Sequence, residues 1–253
     1  MRYARVKTPQ GPRFARLTGD RSAVLLSGSP WESPEELASC EWNYSDLLAP
    51  VRPGKVLCVG RNYALHAKEL GNEVPKAPLL FLKPSSSVIG PSQEIVLPPE
   101  SERVEHEAEL AVVIGKTAKR VPVENALSYV FGYTCGGDIT ARDLQKSDGQ
   151  WSRAKGFDTF CPIGPWIETD LDPRNVGIEC RVNDALRQSG NTKDMVFDVP
   201  TLISAMSHAM TLEPGDVLLT GTPEGVGPLL AGDRFSIAMS GIGELRCNVS
   251  ATR

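Results

Sequence analysis

No stretch of this 253-residue chain stays apolar for the roughly 18–20 residues that a bilayer-spanning helix needs. Its first residues, Met1-Arg2-Tyr3-Ala4-Arg5, mix charge and polarity where a secretory leader would carry an apolar block, so a cytoplasmic protein is expected. Histidine is scarce, with only His66, His106 and His208. The six cysteines (Cys40, Cys58, Cys135, Cys161, Cys180, Cys247) form no CxxC or other close pair, which argues against a zinc site and a disulfide framework. Positive charge is not in excess. With 27 Lys and Arg against 31 Asp and Glu, no basic stripe exists to neutralise phosphates, which argues against a nucleic-acid partner. Internal repeats and low-complexity tracts are absent as well.

What the chain has in quantity is punctuation. Its 23 glycines and 20 prolines cut it into short segments. Residues 1–53 read as a small N-terminal β-rich domain: Arg13–Leu17 alternates, Thr18-Gly19-Asp20 turns, and Ala23–Leu26 returns. Ser33-Pro34-Glu35-Glu36 predicts a short helix with Ser33 as N-cap, Pro34 in the first turn and Glu36 closing a capping box. Pro50 to Gly54 marks a boundary, after which residues 54–253 form the larger domain. Strands are predicted at Val56–Val59, Pro78–Leu82, Leu110–Ile114, Ser128–Thr134, Ile178–Val182, Asp216–Thr220 and Arg234–Ala238. Helices are fewer, at Asn62–Leu70, Val123–Leu127 and Val199–Met206. Strands that follow one another without βαβ alternation predict an α+β protein, mainly β, with mixed and mostly antiparallel sheets. A TIM barrel or doubly wound fold is thereby excluded.

The densest chemical signal is Glu105-His106-Glu107-Ala108-Glu109, which runs into Leu110-Ala111-Val112-Val113-Ile114. On a strand Glu105, Glu107 and Glu109 share one face, about 6.6–6.8 Å apart at each step. His106, Ala108, Leu110, Val112 and Ile114 share the other, which reads as core. Aligned carboxylates repel unless they are solvated or neutralised, and a hard divalent cation neutralises oxygen donors. A solvated acidic face on an edge strand is the plainer alternative.

Four further clusters carry candidate chemistry. His66 and Glu69 stand three apart on a predicted helix, where the carboxylate can orient the imidazole as a general base, or the two make an ordinary surface contact. Asp138 follows a strand and can supply a third oxygen ligand or cap a helix. Arg142 and Gln145, on the next turn, suit a ligand carboxylate or a solvent-exposed helix face. Lys155 is an anion partner or a surface lysine. Thr220-Gly221-Thr222-Pro223-Glu224-Gly225-Val226-Gly227 lacks the ending of a nucleotide-binding P-loop, and is either a turn or a cradle in which backbone N–H groups and Thr222 hold an oxyanion.

Taken together, Gly60-Arg61-Asn62-Tyr63, Glu107-Ala108-Glu109-Leu110, Asp138-Ile139-Thr140-Ala141-Arg142-Asp143, Ser189-Gly190-Asn191-Thr192-Lys193-Asp194-Met195 and the Thr220–Gly227 loop resemble the fumarylacetoacetate hydrolase family over about residues 54–249. The resemblance implies a mixed β-roll or sandwich catalytic domain, usually in a homodimer. It implies Mg²⁺ or Mn²⁺ held by Glu107, Glu109 and Asp138, with Glu105 outside the ligand set as a supporting or solvated residue. It places His66 and Glu69 on a lid and groups Lys155 with them as catalytic. Arg61, Lys83, Arg142, Gln145 and Thr222 match substrate-contacting positions. Gly137 departs from the pattern, since a polar residue, often asparagine, is frequent before the aspartate; a more open, flexible wall is expected there.

Three carboxylates, a divalent cation and the cations Lys83, Arg142 and Lys155 suit a 2-oxo acid or diacid, with the metal stabilising a developing enolate. The leading expectation is hydrolytic C–C cleavage of an acylpyruvate- or fumarylpyruvate-type 1,3-dicarbonyl acid. Isomerisation or tautomerisation of an unsaturated 2-oxo heptadioate in aromatic catabolism, and oxaloacetate decarboxylation, need the same enolate. A metal-dependent binding protein without turnover is the non-enzymatic alternative, and it would leave His66 and Glu69 idle.

Overall fold

The architecture follows from how one strand is used on both faces. In the computed structural model, which describes residues 1–252, Ala108–Ile114 lies in the interior of a twelve-stranded sheet between Val130–Gly137 and Val217–Leu219. Leu110, Val112 and Ile114 pack with Ile178, Phe235 and Leu245 of a second, five-stranded sheet. Ala111 and Val113 pack on the opposite side with Val56, Ile163 and Leu219. All seven residues of the strand are buried, and each apolar side chain so enclosed contributes about 1.5–3 kcal/mol. A run apolar at both parities is the signature of such a doubly covered strand.

The large sheet runs from Glu36–Glu41 through Ser22–Leu26, Arg13–Leu17, Arg2–Val6, Cys161–Glu168, Val130–Gly137, Ala108–Ile114, Val217–Leu219 and Val56–Gly60 to Leu79–Lys83. Most pairs are antiparallel; Val217–Leu219 with Val56–Gly60 is parallel. The N-terminal strands thus continue the same sheet through the pairing of Arg2 and Tyr3 with Glu168 and Ile167. The five-stranded sheet orders Ala185–Asn191, Gly177–Val182, Arg234–Met239, Gly243–Ala251 and Glu94–Leu97. A three-stranded piece joins Thr140–Ala141, Val104–His106 and Gly227–Pro228. The acidic segment therefore serves two sheets, changing from one to the other at Glu107.

Two expectations are corrected. The helix predicted at Ser33 does not form: Pro30–Glu32 makes one 3₁₀ turn, Ser33 takes a left-handed φ of 53°, and Glu36–Glu41 becomes an edge strand. Pairing with Ser22–Leu26 outweighs the local capping pattern. The solvated edge-strand alternative for the acidic segment also fails, because Glu105, Glu107 and Glu109 are all buried. Val123–Tyr129 is helical, as a 3₁₀ helix, and Val199–Ala209 is the longest α-helix of the described residues.

Candidate active site

Strand pairing builds the acidic centre. Ala108 is opposite Gly137, so Asp138 emerges next to Glu107 and its N–H donates to the Glu107 carbonyl at 2.9 Å. One carboxylate oxygen each from Glu107, Glu109 and Asp138 lies within 4.8 Å of the others. Like charges this close and this buried demand compensation.

Most of it comes from three buried cations. Lys155 Nζ donates to Glu107 Oε2 at 2.7 Å and Asp138 Oδ2 at 2.5 Å. Lys83 Nζ donates to Asp138 Oδ1 at 2.8 Å and to the Ile139 carbonyl at 3.2 Å. Arg142 spreads its guanidinium over Glu107 (2.5 Å), Glu105 (2.7 Å) and Gln145 (2.7 Å). Burial alone would push the Glu107 carboxyl up, but Lys155 and Arg142 outweigh it and hold the group below the usual carboxylate range. Burial likewise disfavours the charged Lys155, yet Asp138 and Glu107 raise it above its ordinary value.

Glu109 is the exception. Its carboxylate forms no ion pair among the described residues and accepts only the Gly221 N–H, at 2.6 Å. Burial first, then the Asp138 and Glu107 charges, push its carboxyl well above the usual range. Glu105 is shared by Arg103 and Arg142, Glu107 by Arg142 and Lys155, and Asp138 by Lys155 and Lys83, so of the four buried carboxylates Glu109 alone lacks a cationic partner among the described residues. An all-oxygen donor set in which one carboxylate has no cationic partner fits a hard divalent cation such as Mg²⁺ or Mn²⁺.

A cavity of about 480 Å³ opens onto this cluster. Across it stands the helix Ala64–Glu69. Its root is fixed by Asn62, whose Nδ2 donates to the Thr220 and Phe197 carbonyls while its Oδ1 accepts the Phe197 N–H. His66 is buried and its Nδ1 faces Glu69 Oε2 at 3.4 Å. Glu69 also accepts the Gly225 N–H at 3.1 Å, which latches the helix to the glycine-rich loop. Arg61, at a left-handed φ of 58°, and Lys146 line the rim, and neither has an ion-pair partner among the described residues. Val59, Phe81 and Trp151 form an apolar wall, with Lys155 Nζ 5.1 Å from the centre of the Phe81 ring.

Residues 55–250 match the family model described as Fumarylacetoacetate (FAA) hydrolase C-terminal. The chain belongs to the fumarylacetoacetate hydrolase family. Residues 1–50 match a second model, described as Rv2993c-like, N-terminal. Among solved structures of similar fold, a 5-carboxymethyl-2-hydroxymuconate delta-isomerase from Mycobacterium smegmatis is 45% identical, with a TM-score of 0.93 and both chains fully covered. A fumarylpyruvate hydrolase from Pseudomonas aeruginosa, in complex with Mn²⁺ and pyruvate, is 36% identical with a TM-score of 0.75 over 80% of this chain and 91% of its own. The mitochondrial oxaloacetate tautomerase Fahd2a of Rattus norvegicus is 52% identical over 71% of this chain and 59% of its own length.

Within this family frame, the structure brings Arg61, His66, Glu69, Glu107, Glu109, Asp138, Arg142, Gln145, Lys155 and Thr222 to one cavity. Lys83 is the exception. It lies sealed behind Asp138, outside the cavity lining, so it steadies a carboxylate rather than touching a ligand. Arg142, expected to meet a substrate carboxylate, already grips two protein carboxylates and is 4% exposed. Glu105 is not solvated but clamps Arg142 from one side and accepts Arg103 at 2.6 Å on the other. The wall at Gly137 is not open either: a Cβ there would lie 2.7 Å from Pro162 Cγ, so glycine reflects close packing. Sequence reasoning missed Arg103, Phe81, Trp151 and Gln188. Only Arg103 carried a local signal, two residues before Glu105 on the same strand face.

Proposed function

We propose that this protein is a divalent-cation-dependent enzyme that moves a proton on a 2-oxo diacid, interconverting keto and enol tautomers or shifting a conjugated double bond. The observation that carries this reading is Glu109, the member of a buried carboxylate triad without a cationic partner among the described residues, in the same cavity as a histidine held by a glutamate. Glu107, Glu109 and Asp138 would hold Mg²⁺ or Mn²⁺, which, when bound, supplies electrophilic polarisation of a 2-oxo group.

The chain's own residues supply the rest. Glu69 holds the Nδ1 side of His66, which leaves Nε2 to take or return a proton at the carbon beside the oxo group. Lys155 holds Glu107 and Asp138 in place, and its ammonium adds positive charge beside the developing negative oxygen. Arg61 and Lys146, which have no ion-pair partner among the described residues, suit the distal carboxylate of a diacid. The apolar wall of Val59, Phe81 and Trp151 lowers the local polarity and strengthens these charge contacts. The isomerase and tautomerase relatives, at 45% and 52% identity, support this reading.

Hydrolytic C–C cleavage of an acylpyruvate is the second reading. The fumarylpyruvate hydrolase likeness favours it, as does a cavity with space for a water beside a small acid. There His66 would deprotonate that water. The deciding assay follows oxaloacetate enol-to-keto conversion, isomerisation of an unsaturated 2-oxo heptadioate, acetylpyruvate cleavage and oxaloacetate decarboxylation in Mg²⁺, each beside an EDTA control and His66→Ala. Enol-keto or double-bond turnover that both controls abolish supports the proposal. Cleavage of acetylpyruvate alone transfers the site to the hydrolase reading, and loss of CO₂ alone transfers it to decarboxylation. His66→Ala is expected to lower kcat by about 10²–10⁴-fold while leaving Mg²⁺ binding intact; an unchanged rate would remove His66 from the mechanism.

A further inference from the structure

Gln188 lies on Ala185–Asn191, outside the cavity lining and fully buried between the exposed Arg187 and Ser189. Its amide reaches from the five-stranded sheet to the segment that carries the carboxylates. Oε1 accepts the N–H of Ala108, the residue between Glu107 and Glu109, at 3.0 Å. Nε2 donates to the Pro223 carbonyl at 2.8 Å and to Thr222 Oγ1 at 2.7 Å. The orientation of this amide is not open to choice, because a backbone N–H can only donate and a carbonyl can only accept.

That fixes its neighbours in turn. Thr222 Oγ1 must accept from Gln188, and its own proton goes to the Ala108 carbonyl at 2.9 Å, which can only accept. That leaves the hydroxyl one lone pair and no proton, on a residue that lines the cavity. On the other side, His106 Nδ1 sits 3.2 Å from Gln188 Oε1 and 3.5 Å from Cys180 Sγ, and it bonds Oε1 when it carries the ring hydrogen.

We propose that Gln188 is a positioning residue which locks the Thr222 hydroxyl as a hydrogen-bond acceptor toward the cavity, so that this end of the site takes an O–H of the ligand or of an ordered water rather than a carboxylate oxygen. This rests on the reading of the cavity as the active site. Gln188→Met removes the amide at similar length, Thr222→Val removes the hydroxyl at similar volume, and Thr222→Ser restores it.

The test combines three measurements on the full chain, with melting temperatures to confirm that each variant folds. The first is ¹⁵N NMR of the imidazoles, simplified by there being three histidines. His106 should be the Nδ1–H tautomer in the wild type and lose that constraint in Gln188→Met; an Nε2–H tautomer in the wild type overturns the proposal. The second is calorimetric binding of oxalate with Mg²⁺. Thr222→Val should bind oxalate at least as tightly as the wild type, whereas a loss of about 10-fold or more would show that Thr222 donates to carboxylates and overturn the assignment.

The third is a double-mutant cycle on kcat with whichever 2-oxo acid is turned over. Gln188→Met and Thr222→Val should each lower kcat by about 10-fold, Thr222→Ser should recover most of the loss, and the double variant should match the worse single within about threefold. Multiplicative losses would mean that Gln188 does not act through Thr222. If no 2-oxo acid is turned over, the proposed function fails, while the tautomer and oxalate measurements still decide this inference.

Discussion

Replacing Glu109 by glutamine should make the metal-free protein more stable, the opposite of what removing a buried charged residue usually does. Glutamine keeps the side-chain oxygen that accepts the Gly221 N–H and discards only the charge. In the wild type that charge lies within 4.8 Å of the Glu107 and Asp138 oxygens, a repulsion of about 3.5 kcal/mol per pair at an effective dielectric constant of 20. Lys155, bonded to both neighbours, offsets part of it, and proton uptake by Glu109 relieves more, leaving a gain of about 1–3 kcal/mol. For a chain of this size that is a rise of about 2–12 °C in Tm. Glu107→Gln has the contrary sign, because it takes one of two carboxylate partners from both Lys155 and Arg142 in a buried site, and should cost about 3 kcal/mol. The assay is thermal unfolding in EDTA and again in excess Mg²⁺. Wild type should gain about 2.7 kcal/mol when the free ion is 100 times its Kd, and Glu109→Gln should gain nothing. If Glu109→Gln unfolds earlier than wild type in EDTA, or answers Mg²⁺ as wild type does, the charge argument is refuted.

Two further outcomes can be checked by the same methods. Gly225→Ala forces an L side chain into φ +94°, with its Cβ against the Arg187 carbonyl oxygen, so it should cost about 1–3 kcal/mol, lower Tm by about 2–12 °C and release the Glu69 latch, reducing turnover; full activity with an unchanged Tm would show that the loop tolerates the change. Asp143 accepts from Ser101 Oγ and the Glu102 and Leu144 N–H groups; burial pushes its carboxyl up, but these bonds outweigh it and lower the group below its ordinary 3.8. The stability it adds is therefore present above that ordinary value and lost as pH falls through the folded one. Asp143→Asn should cost about 1 kcal/mol at neutral pH, with the difference closing in acid as pH falls below the folded-state value; a gap that persists there would assign the effect to packing.

Much of the site was legible because strand parity is strict. Glu105, Glu107 and Glu109 do reach one cavity, and His106 and Ala108 do turn the other way, toward Gln188. What parity could not convey was partnership: that Arg142 is spent on Glu105 and Glu107, or that Lys83 backs Asp138, depends on residues brought together by sheet order. The strands at Val56–Gly60, Leu79–Lys83, Gly177–Val182 and Arg234–Met239 carried clear apolar patterns and were found. Cys161–Glu168 was not, because Pro162 and Pro165 argue against a central strand. The structure accommodates Pro165 by a register shift opposite Tyr133–Cys135, and Pro162 lies where the strand pairs with Val88–Ile89. Gln188 gave no signal at all, since a lone glutamine between exposed residues looks like surface until the second sheet is laid over the first.

The pairing of Arg2–Val6 with Cys161–Glu168 has a consequence during synthesis. The first strand can zip early to Arg13–Leu17, and the rest of the N-terminal meander can follow from local turns. Its other edge at Arg2 and Tyr3 stays unsatisfied until Ile167 and Glu168 have left the ribosome. At about 5–20 residues per second that is a delay of roughly 8–33 s. Arg5 and Val6 on that edge are already covered by Leu48 and Leu47, so Arg2 and Tyr3 alone wait with unpaired backbone donors and acceptors, and the seam that joins the N-terminal meander to the larger sheet closes late.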